Sequence, residues 1–224
     1  RVATARHDGV TVTRVEIARE GLARPRGRYV TLEMPSVSVL DERDTDVIET
    51  GAAELRALLP PEGPVLVLGI GNRRVTADAL GPRTAQKILV TMGPQHTLPV
   101  RGIRPVAALA PGVSGDTGLT LRQLAAAMVD AVRPAALICV DSLCSAEAAR
   151  LGRTIQFSDT GLHPADSPHA RHLDAAALGV PVIAAGIPTL MDADEGADLV
   201  LTPRALDSVI AHGSALLAGI LNRA

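Results

Sequence analysis

Four short, uncharged apolar runs constrain the fold most: residues 65–70 (VLVLGI), 106–110 (VAALA), 135–140 (AALICV) and 180–185 (VPVIAA). Runs of this length read as strands buried on both faces, and the first is closed off by Pro64 and Gly71. Helical patterns separate or follow them at 81–92, 117–132 and 203–222, with Pro82 and Pro203 placed as first-turn prolines. Buried strands alternating with helices predict a three-layer α/β domain with a mostly parallel central sheet and helices on both faces. Upstream, residues 9–17 alternate β-branched and polar side chains as a half-buried strand does, and 28–39 is a second extended stretch after a turn at Pro25 and Gly27. A helix over 44–59 follows, capped by Thr45, with an apolar stripe of Ile48, Ala52, Leu55 and Leu59, and ended by Pro60-Pro61. Residues 154–158 (TIQFS) make a further strand. The whole, residues 1–224, reads as one domain with the extended segment at about 9–39 packed on it.

Composition removes several function classes. Net charge is −2 and aromatics are 1%, so neither bulk charge nor stacking platforms favour nucleic acid. Lys87 is the sole lysine, which excludes the P-loop and the Ser-x-x-Lys nucleophile, since both need lysine at a fixed offset. Two cysteines, Cys139 and Cys144, are too few for a disulfide framework or a four-cysteine zinc site and fit a reducing cytoplasm. The apolar stretch 175–191 is interrupted by Gly179, Pro181, Gly186 and Pro188 and makes a poor membrane span.

In an open α/β sheet, chemistry gathers outside the carboxyl ends of the strands. That rule selects Asn72 and Asp78 after the first run, Asp141 after the third, and Asp159 and His163 after 154–158, as if three carboxylates and a histidine shared one rim. Asp78 and Asp141 carry the strongest case, because each follows a buried strand directly or after a short loop, where a carboxylate has no packing role. Two carboxylates that approach each other cannot both ionise easily, and such a pair can serve as acid and base toward a water. Other motifs are weaker. Gly69-Ile70-Gly71 lacks the third glycine of a dinucleotide fingerprint, Arg74 standing there. The tripeptides at 116–118 and 159–161 (DTG) match those of two-lobed aspartic proteases, but those need a largely β architecture; Asp116 or Thr117 reads instead as a helix cap. His163, His169 and His172 have no zinc-type spacing, and Cys139 reads as a buried structural thiol.

Five blocks add a resemblance: GRYVTLEMP (27–35), VLVLGIGNRRVTADALGPR (65–83), GIRPVAALAPGVSGDTGL (102–119), ALICVDSLCSAEAARL (136–151) and TIQFSDTGLHP (154–164). In order and spacing they resemble the germination proteases of spore-forming bacteria. The resemblance implies a fold similar to hydrogenase-maturation peptidases. It also implies an atypical aspartic endopeptidase, cofactor-free, that starts degradation of small acid-soluble spore proteins in the cytoplasm of the spore core. Asp78 and Asp141 fall on the family's two aspartates; Asp159 and His163 are second-rank catalytic or substrate-binding candidates. Family members are longer zymogens with an N-terminal propeptide and form tetramers, so a homo-oligomer is expected here; from its composition the chain is expected to bind neither nucleic acid nor membrane. Two alternatives stand beside this: a hydrogenase-maturation-like peptidase gripping a substrate's metal through Asp78, Asp141 and His163, and a non-catalytic binding protein on the same fold.

Overall fold

A computed structural model of the chain describes residues 1–7, 9–22, 24–40, 43–93, 103–162, 172–193 and 199–224. Among these residues the strands and α-helices run β1 (Val2–His7), β2 (Val10–Ile17), β3 (Gly27–Glu33), α1 (Thr45–Leu58), β4 (Val65–Gly69), α2 (Leu80–Ala85), β5 (Val106–Leu109), α3 (Ser114–Thr117), α4 (Leu121–Val132), β6 (Ala136–Cys144), β7 (Thr154–Ser158), α5 (Ala175–Leu178), β8 (Val182–Asp192), β9 (Val200–Leu201) and α6 (Leu206–Arg223). One sheet orders its strands β1-β2-β3-β7-β8-β6-β4-β5, with β9 paired to β8.

The layering is the expected one. Along β4, β6 and β8 alternate side chains enter two cores, because successive residues of a strand face opposite sides. Val65, Val67, Ile138, Val140, Ile183 and Ala185 pack with Leu55 of α1, Leu80 of α2 and Leu216 and Leu217 of α6. Leu66, Leu68, Leu137, Cys139 and Val182 pack with Ala125 and Val129 of α4 and Leu178 of α5.

Strand directions are more mixed than expected. The pairs β4–β5, β4–β6 and β6–β8 are parallel, whereas β8–β7, β7–β3, β3–β2 and β2–β1 are antiparallel. The parallel expectation holds for the four buried runs and stops at β7. The N-terminal strands do not pack on the sheet; β3 pairs with β7 and makes them part of it.

Three boundaries differ for identifiable reasons. The helix expected over 81–92 ends at Ala85, because later backbone groups find tertiary partners: Asn222 of α6 accepts from Leu89 N and donates to Lys87 O, and Thr91 N donates to Val106 O. The helix expected over 117–132 is broken by Gly118 at φ 70°, and its cap is Thr120, not Asp116 or Thr117. Thr120 and Gln123 form a capping box, each satisfying the other's backbone N–H. Finally, β6 and β8 run past their apolar stretches to Cys144 and Asp192, which puts Asp141 inside a strand.

Candidate active site

The first carboxylate sits in a loop built from local hydrogen bonds. Gly71, at φ 120°, turns the chain out of β4, and a side chain there would collide with the Asp78 carbonyl. Asn72 N donates to Asp78 Oδ2 at 2.7 Å, Asn72 Oδ1 accepts from Arg74 N at 3.0 Å, and Asp78 N donates to Val75 O at 2.9 Å. Burial raises the Asp78 pKa, and the Asn72 N–H opposes that rise by favouring the charged form.

The second carboxylate belongs to the central strand. Asp141 pairs in register with Gly186 of β8, and its Oδ1 accepts from Ser142 N at 2.8 Å. Burial first, and then the charge of Asp78, push its pKa up to about 8. The two aspartates are therefore electrostatically coupled. They are joined through one backbone contact: Ile70 N donates to Val140 O at 2.8 Å, tying the root of the Asp78 loop to the residue before Asp141.

Asp159 is not part of this pair. Because β7 runs against β8, its carboxyl end points away from the rim that holds Asp141: Gln156 is level with Gly186, and Asp159 lies three residues further, about 10 Å toward the opposite edge. Asp159 instead accepts from Arg28 N and Arg28 Nε, both at 2.7 Å. The shared rim expected for Asp78, Asp141 and Asp159 fails for that reason. His163 and His169 lie outside the described residues. The other DTG aspartate, Asp116, pairs with Arg74 at 3.1 Å, whereas Asp159 pairs with Arg28. Asp159→Asn is expected to lower stability by about 1 kcal/mol through the partly exposed Arg28 pair. Catalytic rate should stay within about threefold; a hundredfold loss in a proteolysis assay at unchanged Tm returns Asp159 to the catalytic group.

Cys139, two residues before Asp141 on the same face, has its pKa raised by burial and then by the Asp141 charge, so it stays a thiol. Among the described residues no three His, Cys, Asp or Glu side chains are grouped to hold a metal ion. Two cavities, of about 430 and 1040 Å³, are lined by residues such as Pro134 and Val180 or Gly63 and Pro105 near the strands' amino ends, and neither includes Asp78 or Asp141.

A family model described as germination protease matches residues 1–195. The chain belongs to the germination protease family. It is 38% identical over 210 residues to the germination protease of Clostridium perfringens strain 13, covering 87% of this chain and 65% of the relative. It is 40% identical over 201 residues to that of Caldanaerobacter subterraneus subsp. tengcongensis (83% and 61%) and 35% identical over 221 residues to that of Priestia megaterium (91% and 58%). The chain thus spans 58–65% of the length of these three germination proteases. Among solved structures it is similar to a [NiFe] hydrogenase maturation protease, HycI, from Thermococcus kodakarensis, at 17% identity and TM-score 0.48, over 75% of this chain and 98% of that one. No helix among the described residues is long and apolar enough to cross a membrane.

Proposed function

We propose that the chain is an aspartic-type endopeptidase that opens the degradation of small acid-soluble spore proteins at germination, in the spore core. The observation that carries this is the coupled pair of unequal carboxylates, Asp78 in the loop that follows β4 and Asp141 within β6, the parallel strand beside it. Membership in the germination protease family supports it over a metal-gripping maturation peptidase or a non-catalytic binder.

The environments assign the roles. Asp141, pushed up to about 8, holds the shared proton at neutral pH; Asp78, steadied as an anion by the Asn72 N–H, is the base. Asp78 takes a proton from water as the water oxygen attacks the scissile carbonyl carbon. Asp141 gives its proton to the departing amide nitrogen as the C–N bond breaks, and the proton on Asp78 returns to Asp141 for the next cycle. No covalent intermediate forms.

Incubation with a purified small acid-soluble spore protein tests this. Discrete fragments, unaffected by chelator, are expected; an unfragmented substrate, or cutting abolished by chelator, overturns the reading.

The roles also fix the pH dependence. Activity falls as pH rises through about 8, where Asp141 loses its proton. Stability moves the same way: the folded carboxyl binds its proton more tightly than the ordinary value of 3.8, so its contribution is full below that value and is lost as pH rises toward about 8. Melting curves between pH 5 and 9 should show Tm falling in the parent and a shallower fall in Asp141→Asn; parallel curves refute the assignment.

A further inference from the structure

The strand register carries a row of residues across the sheet from Asp141. Asp141 is level with Gly186, Gly186 with Gln156, Gln156 with Thr31, and Thr31 with Thr13. Residues level with one another on neighbouring strands point to the same face, so these side chains line the face that carries Asp141. On this face α4 and α5 cover the parallel strands through the Leu66, Leu137 and Val182 core, while Thr13, Thr31 and Gln156 are half-buried and belong to neither core.

Gly186 has no side chain, and Leu143 leans into the place a Cβ would take. Asp141 and Gln156 therefore flank a floor made of Gly186 and Leu143. The Gln156 carboxamide is under-used there. Its Nε2 donates one long bond, 3.3 Å, to Thr154 Oγ1, and its other amide hydrogen and its Oε1 have no partner among the described residues. Oε1 is not a buried orphan; water reaches it, and a ligand can take the place of that water without breaking a bond to the protein. One donor and one acceptor side by side match the C=O and N–H of a peptide backbone.

We propose that Gln156 positions the substrate, binding the backbone of an extended segment of the protein being cut and holding it over Gly186 beside Asp141. The hydroxyls of Thr31 and Thr13 continue that polar track away from the scissile bond. This rests on Asp78 and Asp141 being the acid–base pair, and it adds the direction in which the polypeptide leaves them.

Two measurements separate this proposal from the reading it rests on. In kinetics on a small acid-soluble spore protein, Gln156→Leu, nearly the same shape without hydrogen-bonding groups, should raise KM about tenfold, with kcat within about threefold. Gln156→Asn, which draws the amide back by one methylene, should fall between. A KM within twofold of the parent in Gln156→Leu, or a loss confined to kcat, overturns the proposal. The second readout needs no turnover: a fluorescent peptide from the same protein is titrated onto Asp78→Asn, and onto Asp78→Asn with Gln156→Leu or Gln156→Asn. About tenfold weaker binding is expected for Gln156→Leu, less for Gln156→Asn; equal binding in all three, or none in Asp78→Asn itself, overturns the proposal. A parent chain that cuts nothing, while the peptide binding still depends on Gln156, defeats the acid–base reading alone.

Discussion

Asp78→Asn and Asp141→Asn are each expected to lower kcat about a thousandfold, and the double variant should be little worse than either alone. General acid–base catalysis contributes between about a hundredfold and ten-thousandfold, and groups that act as one unit lose their effect together. The two variants should fail for opposite reasons. Asn at 78 leaves no acceptor for the proton of water, whereas Asn at 141 removes the proton for the leaving nitrogen and also the neighbour that shares Asp78's electrostatic environment. Single-turnover rates on a small acid-soluble spore protein, with circular dichroism to confirm folding, give the answer. Multiplicative losses, about a millionfold in the double variant, mean that the two carboxylates work independently.

The second large effect is structural: Gly81→Ala should destabilise the chain by at least about 4 kcal/mol. A Cβ at Gly81 would strike the carbonyl oxygens of Ile70 and Val140 and lie 2.5 Å from Ile70 N, all of them backbone atoms that cannot rotate away. Gly69 faces the same contact from the other side, where a Cβ would meet the Gly81 carbonyl carbon at 2.6 Å and Ala85 Cβ at 2.8 Å. These glycines let α2 sit directly on the end of β4 and the middle of β6, the strand that carries Asp141. Urea denaturation measures the loss, with Gly115→Ala as control, since nothing lies within 4 Å of a Cβ there. Equal midpoints for Gly81→Ala and the control show that the strand ends can part from α2 at little cost.

The sequence makes the parallel half of the sheet legible because burial on both faces leaves a plain signal: unbroken apolar runs that alternate with helices. Asp78 and Asp141 are legible for a related reason, as charges placed where packing would call for none. Strand direction is not. TIQFS at 154–158 reads as a strand from composition, but nothing local says that it runs against β8, and that reversal alone removes Asp159 from the rim. Thr120, three residues before Gln123, is a capping-box pattern in the sequence, and the DTG at 116–118 competes with it as a cap signal. The short α2 follows from side chains distant in sequence, Asn222 above all, which no window around residue 86 contains. Gln156 becomes visible only through register, since its relation to Asp141 crosses a strand that follows both of them in the chain.

The reversal at β7 also divides the work of the molecule between two edges. Because β8 is parallel to β6 on one side and antiparallel to β7 on the other, the loops at its two flanks open on opposite edges of the molecule. The turn after Ser158, where Asp159 ties down Arg28, lies on the edge away from the Asp78–Asp141 pair. Substitution there is expected to cost stability, whereas substitution in the loop from Gly71 to Asp78 is expected to cost activity. One edge of this sheet therefore fastens the fold, and the opposite edge is left to hold the two carboxylates.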